Sequence, residues 1–159
     1  MYEQSVKENV YLAMQFIILL VIQLLATAGP LLSANDQPKN FVTVIVTDIG
    51  GQKGEIMAAL FASEKSFPTD SKAAFKVAKT AAAGGKAVLQ FEQVPPGKYA
   101  IALFHDVNGD GKLNTNVIGI PKEGYGVSNN VKNLFSGPSF RQSAFEHRNN
   151  TTLTITMRY

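Results

Sequence analysis

The sequence has 159 residues, with 15 lysine or arginine and 12 aspartate or glutamate residues, and carries a formal net charge of +3. It contains no cysteine, which excludes disulfides, zinc–thiolate sites, cysteine nucleophiles and anchoring through a lipidated cysteine. The basic residues are scattered singly without interleaved aromatic residues, so we expect no nucleic-acid binding.

An apolar segment stands near the start of the chain. Residues 12–28 read LAMQFIILLVIQLLATA, and a Gly-Pro breaker and small residues follow. This order is typical of a secretory signal peptide. We therefore predict a signal helix within residues 1–34 with cleavage after Ala34, or alternatively after Ala28, and a periplasmic or secreted protein. An uncleaved anchor is the alternative, because the preceding segment has little net positive charge.

Residues 35–159 suffice for a single domain with its own core. Residues 41–49 are too rich in β-branched side chains for a helix, which predicts a strand that ends at a Gly-Gly pair. Residues 55–62 form a second apolar run of strand length. Because only a short glycine turn separates these two runs, the pattern favours a hairpin between them.

Later segments complete the predicted sheets. Residues 98–105 are apolar at nearly every position, as in a strand buried on both faces. In residues 151–159, apolar side chains alternate with polar ones, as in a strand with one buried face. Shorter strands are predicted at residues 75–80 and 87–91. About seven strands without a strong helix predict an all-β fold, an antiparallel β-sandwich of immunoglobulin-like or prealbumin-like type, with a long glycine-rich loop region at residues 114–150.

The segment FHDVNGDGKLNTN, residues 104–116, has the spacing of an oxygen-ligand calcium loop. Side-chain oxygens stand at alternate positions, glycine follows where the chain must turn sharply, and another amide comes later. Calcium is therefore the expected ion. The predicted metal ligands are Asp106, Asn108, Asp110, the Lys112 carbonyl and Asn114.

This calcium motif is incomplete, because Val117 occupies the twelfth position, where a full loop carries glutamate. The site needs a carboxylate from elsewhere or more water, and we expect a weak affinity, about 0.1 to 1 mM. Asn-Gly and Asp-Gly pairs also favour tight turns, so a turn without metal is the alternative. Without metal, alanine at Asp106 or Asp110 should cost little stability, since the two carboxylates then repel each other.

A second segment, GIPKEGYGVSNN at residues 119–130, has three glycines that would let the chain approach a ligand closely. Nearby polar and aromatic side chains would bind a glycan, a peptide or another envelope protein. The candidate ligand-binding residues are Glu123, Tyr125, Asn129, Asn130 and Phe140. The alternative is a structural loop in which Ile118, Ile120 and Tyr125 cap the core.

The motifs VPPGKYAIALFH, HDVNGDGKLNTN, GIPKEGYGVSNN and PSF with a following AF occur in one order and at close spacing. Over roughly residues 41–159 the chain resembles the bacterial family catalogued as domain of unknown function 2141. The resemblance implies a signal peptide and one such domain, and it brings no activity. The VPPGKY turn into an apolar strand is also similar to transthyretin-like and carboxypeptidase regulatory-type sandwiches.

These observations predict an exported, non-enzymatic module that binds calcium weakly, recognises a glycan or an envelope protein, and has no membrane contact once the signal is removed. The alternative is an envelope hydrolase that uses His105 with Asp106 or Glu123 for acid–base chemistry. The sequence has only two histidines and no G-x-S-x-G nucleophile elbow, which disfavours an enzyme. Convergence of His105, Glu123 and a serine would favour the hydrolase.

Overall fold

A computed structural model describes residues 40–133 and 136–159. The predicted signal peptide and its cleavage site lie outside these residues. None of the helices in the described ranges combines the length and the apolar character that a membrane span requires.

Eight strands account for most of the regular structure in the described residues. In chain order they are β1 (Val42–Ile49), β2 (Glu55–Phe61), β3 (Lys76–Ala81), β4 (Gly85–Phe91), β5 (Gly97–Asp106), β6 (Tyr125–Val127), β7 (Phe145–His147) and β8 (Thr151–Thr156). Short helical turns at Ser71–Ala73 and Ser128–Asn130 and the one-turn helix α1 (Phe140–Ser143) lie in the connections. The predicted all-β fold is therefore confirmed.

The strands form two sheets that face each other across the core. One sheet has the order β4-β1-β8, and the other has the order β3-β2-β5-β6 with β7 paired to the start of β5. All of these pairings are antiparallel except β1 with β8, which is parallel. Alternate side chains of both sheets point inward. The core includes Val42, Val44, Val46, Ile56, Leu60, Leu89, Phe91, Ile101, Leu103 and Ile155.

The predicted hairpin between the first two strands is wrong. β1 pairs with β4 and β8, whereas β2 pairs with β3 and β5. The ladder of β1 shifts between Thr47 and Ile49, and Asp48 between them has a φ of 59°, so the strand bends before residues 50–54 cross to the other sheet. Each strand has one apolar face, and the two faces bury each other better from opposite sheets than side by side.

The predicted central position of the apolar strand is confirmed, since β5 has neighbours along both edges. Its inward residues Ile101 and Leu103 are 0% and 3% exposed, and Ala100 on the outer face is also buried. The hydroxyl of Tyr99 donates to the Pro95 carbonyl at 3.1 Å. This bond fixes the Pro-Pro-Gly turn that leads into β5, as a tyrosine corner does in Greek-key sandwiches. β5 thus delivers its last residue, Asp106, to a well-defined edge of the sheet.

Candidate functional site

The Asp-rich loop is built around the side chain of Asp106, which is 2% exposed. One carboxylate oxygen accepts the backbone N–H groups of Gly109 at 2.8 Å and Asp110 at 3.2 Å, and the other accepts that of Gly111 at 2.8 Å. Gly109 and Gly111 have φ values of 76° and 73°, a conformation that glycine adopts without strain. The turn is therefore fixed by a buried carboxylate and two glycines.

Three more of the predicted ligands converge at the open side of this loop. The Asn108 amide nitrogen lies 3.0 Å from Asp110 Oδ2 and 3.1 Å from Asn114 Oδ1, and the Asn114 amide nitrogen lies 2.9 Å from Asp110 Oδ2. The Lys112 backbone N–H donates to Asp110 Oδ1 at 2.9 Å. These hydrogen bonds lower the pKa of Asp110 below its ordinary value of 3.8. The bond from Asn114 has the largest effect.

Glu123 reaches the loop from beyond its end, nine residues after Asn114. Its side chain is buried, and its two oxygens accept the N–H groups of Val107 at 3.0 Å and Asn114 at 2.9 Å. Glu123 therefore ties the two ends of the loop together, a role that the sequence analysis did not assign to it. In the sequence, Val117 at the twelfth position of the loop indicated that a carboxylate from elsewhere was needed.

The chemistry of this loop suits a hard cation better than a transition metal. In the described ranges, no three His, Cys, Asp or Glu side chains form a group that could hold a metal ion. Any ion here must rely on amide and backbone oxygens and on water besides the carboxylates. Calcium accepts such a ligand set, whereas zinc prefers nitrogen and sulfur ligands.

His105 is held as a structural residue in the core, where it is 1% exposed. Its Nε2 lies 2.7 Å from the Lys53 carbonyl oxygen, which can only accept, so Nε2 carries the proton. Nδ1 then accepts from the Tyr159 hydroxyl at 2.8 Å. Both ring nitrogens are thus occupied, while Glu123 is bonded to backbone N–H groups. The described residues do not bring His105, Glu123 and a serine together by hydrogen bonds.

The second histidine, His147, follows the same pattern. It is 1% exposed, its Nε2 lies 3.0 Å from the Val94 carbonyl oxygen, and its Nδ1 lies 2.8 Å from the Thr151 hydroxyl. Both histidines therefore pin connecting segments to strands, and neither presents a ring nitrogen to solvent.

Four of the five candidate ligand-binding residues make contacts within the protein besides the buried Glu123. Asn129 donates to the carbonyls of Gln142 and Ala144 at 3.0 and 2.9 Å, and Asn130 bonds the backbone of β8 through both ends of its amide. Tyr125 lies in β6 opposite Phe104. The ring of Phe140, the first residue of α1, lies 6.0 Å from the ring of Phe67, measured between centroids. Glycan or envelope-protein binding through these residues stays a prediction.

The glycines of the second segment contact the protein itself. A methyl group built on Gly124 would lie 2.5 Å from the Tyr159 ring, and one on Gly126 would lie 2.7 Å from Ile155. The alternative prediction that neighbouring isoleucines cap the core is wrong, since Ile118 and Ile120 are 74% and 54% exposed. They lie at the tip of a projecting turn rather than over a sheet.

A shallow cleft elsewhere is lined by Asn130, Lys132, Thr156 and Arg158. The Arg158 guanidinium donates to the Val131 and Asn130 carbonyls, each at 2.8 Å, so its charge is directed at the protein's own backbone. The cleft does not include the Asp-rich loop. We assign no binding role to it.

Comparison with known proteins identifies a family. A family model described as "Uncharacterized protein conserved in bacteria (DUF2141)" matches residues 44–155, which is more than half of the chain. Neither a comparison with curated proteins nor one with solved structures found a match.

Proposed function

Since the chain belongs to this family of uncharacterised bacterial proteins, whose description names no activity, we propose a function from its own geometry. The protein is an exported, non-catalytic β-sandwich module whose loop from Asp106 to Asn114 binds calcium and is stabilised by it. Export rests on the apolar segment at residues 12–28. The non-catalytic role rests on His105, the expected acid–base residue, whose two nitrogens are already bonded within the protein.

The convergence of Asn108, Asp110 and Asn114 carries the calcium proposal. The Asn108 Nδ2 atom lies 3.0 Å from the Asp110 carboxylate oxygen Oδ2 and 3.1 Å from the Asn114 amide oxygen Oδ1. Neighbouring oxygens around a calcium ion, each 2.3 to 2.6 Å from it, lie about 3 Å apart. Rotating the Asn108 amide by half a turn would put its oxygen in that position and would break the 3.2 Å hydrogen bond that this oxygen now accepts from the Asp110 N–H. The distances between these side chains support the calcium proposal.

The same geometry supports a weak site. Asp106 already accepts three backbone N–H groups, and Glu123 uses both oxygens on the ends of the loop. A cation must also displace the amide donors that now satisfy Asp110. A dissociation constant of about 1 mM, at the weak end of calcium loops, fits this competition.

Thermal unfolding of the purified protein in EGTA and in 10 mM calcium tests the proposal. With a dissociation constant of about 1 mM, 10 mM calcium should stabilise the fold by about 1.4 kcal/mol. The expected rise in Tm is roughly 5 °C. Asp110→Ala and Asn114→Ala should each abolish the shift. Glu92→Ala, which removes an exposed carboxylate outside the loop, should keep it.

Magnesium serves as the ion control, because its tight octahedral geometry fits a large, irregular oxygen shell poorly. A wild-type Tm that 10 mM calcium leaves unchanged overturns the proposal. An equal shift in wild type and in Asp110→Ala overturns the assignment to this loop.

A further inference from the structure

A rigid turn projects beside the Asp-rich loop. Thr115 and Pro121 form an antiparallel bridge, and the Lys122 N–H donates to the Asn114 carbonyl at 2.8 Å. Residues 114–122 therefore form a small hairpin whose base is the end of the Asp-rich loop. We call its three aliphatic side chains, Val117, Ile118 and Ile120, the apolar tip.

The apolar tip is the most exposed aliphatic group among the described residues. Val117, Ile118 and Ile120 are 104%, 74% and 54% exposed, and they occur within four consecutive positions. Single exposed aliphatic residues are common, but a contiguous group on a projecting turn marks a site of interaction with an apolar phase or partner.

Several backbone groups of this hairpin form hydrogen bonds within it and so do not depend on water. The Asn116 side-chain oxygen accepts the N–H groups of Ile118 at 3.1 Å and Ile120 at 2.9 Å. The Gly119 N–H donates to the Asn116 carbonyl at 3.0 Å, and the Asn116 N–H donates to the Ile120 carbonyl at 2.8 Å. Backbone groups that enter an apolar medium must be bonded internally, because nothing there replaces water. Three of the four N–H groups of residues 117–120, those of Ile118, Gly119 and Ile120, meet this requirement already.

The charges that face solvent beside the tip are mainly positive. Lys112 and Lys122 are exposed on either side of the hairpin base. Of the neighbouring carboxylates, Asp106 and Glu123 are buried against backbone N–H groups, and Asp110 is exposed. Lysines placed this way would meet phosphate groups when the tip is buried.

We propose that the apolar tip of Val117, Ile118 and Ile120 inserts into the interfacial region of a phospholipid bilayer while Lys112 and Lys122 bind lipid phosphates. A bilayer is favoured over a protein partner for two reasons. The tip is convex and purely aliphatic, whereas the strongest residues of protein interfaces are tryptophan, tyrosine and arginine seated in shaped pockets. A bilayer needs no complementary pocket, and the N–H groups of Ile118, Gly119 and Ile120 need no new partner there because they are bonded within the hairpin.

This inference departs from the expectation, drawn from the sequence, that the mature protein has no membrane contact. The inference also goes beyond the calcium proposal, because insertion uses the hairpin and its lysines and requires no bound cation. Experiments on it are therefore run in EGTA, so that either proposal can fail without the other.

Cosedimentation with vesicles of phosphatidylethanolamine and phosphatidylglycerol measures the partitioning. Wild type should cosediment, and the double variant Val117→Asp with Ile118→Asp should lose at least about tenfold in partition coefficient. The matched control is Val88→Asp, which places the same charge at a valine that is 53% exposed on β4. It should partition as wild type does. Lys112→Gln with Lys122→Gln should lower partitioning about tenfold.

Because the chain has no cysteine, a single environment-sensitive fluorophore can be attached at the tip. In Val117→Cys its emission should shift to the blue when vesicles are added, and in Val88→Cys it should not. The inference is overturned if wild type stays in the supernatant or if the aspartate variant partitions like wild type. It is also overturned if the tip fluorophore shifts with protein concentration in the absence of lipid, which indicates contact between copies of the chain.

Discussion

The hydroxyl of Tyr159 lies 2.8 Å from Nδ1 of His105, and the same hydroxyl accepts the Gly50 N–H at 2.7 Å. Gly50 follows β1 in one sheet, and His105 lies on β5 in the other. The Lys53 carbonyl fixes the opposite side of the His105 ring. One tyrosine therefore links the two sheets at the edge from which the Asp-rich loop departs.

Replacing this tyrosine with Tyr159→Phe should lower the free energy of unfolding by about 1 to 2 kcal/mol, because the buried Nδ1 of His105 loses its donor. Urea denaturation measures the loss. Tyr125→Phe is the matched control, since the Tyr125 hydroxyl makes no hydrogen bond to the described residues. Equal stability of the two variants would show that the bond to His105 contributes nothing.

Because Asp106 is buried, its removal should lower the stability of the fold more than the sequence analysis predicted. In EGTA, Asp106→Ala should cost about 1 to 3 kcal/mol, because three backbone N–H groups lose a charged acceptor. This corrects the expectation of a small effect, which regarded the two carboxylates as repelling each other. Asp110→Ala should cost much less, since its partners are exposed and can bond to water. Urea midpoints in EGTA that rank the two variants in the reverse order would contradict this account.

The Asp110 carboxyl should titrate below 3.8, because Asn114 and Asn108 donate to its charged form. Its stabilising effect is complete above the unfolded pKa and is lost as the pH falls through the lowered native pKa. Carboxyl carbon chemical shifts measured between acid and neutral pH follow this group. Asn114→Ala should move its pKa back toward 3.8, whereas Asn133→Ala, a distant amide, should not. A native pKa at or above 3.8 would contradict the hydrogen-bond network.

The central strand should be the most sensitive to truncation. Leu103→Ala and Ile101→Ala each remove a buried side chain of β5 and should cost about 2 to 5 kcal/mol. Val77→Ala, at a position on β3 that is 66% exposed, is the control and should change stability by roughly 0.5 kcal/mol or less. Denaturation midpoints compare the three. Core variants no worse than Val77→Ala would place the core elsewhere.

Local patterns in the sequence were enough for the longer strands and the turn, but not for the short strands β6 and β7, which lie in residues 114–150, predicted as a loop region. The alternation in β1 and β8 and the unbroken apolar run of β5 reflect burial of individual faces, which depends on near neighbours. The Asp-rich loop likewise follows from Asp and Gly residues a few positions apart. These features are predictable because their physical causes, side-chain periodicity and local hydrogen bonds, act over short stretches of chain.

Tertiary structure decided everything that joins distant residues. A two-residue period does not say which strand lies beside β1, so the parallel β8 partner and the separation of β1 from β2 came only from packing the two sheets. Glu123 binds backbone N–H groups that are 16 and 9 residues away, and Tyr159 binds a ring that is 54 residues away. The incomplete loop indicated that a partner was needed, but no local pattern identified that residue. The sequence alone thus determined the longer strands and the Asp-rich loop. Folding selected their partners, because every buried polar group must be satisfied by whatever part of the chain comes near.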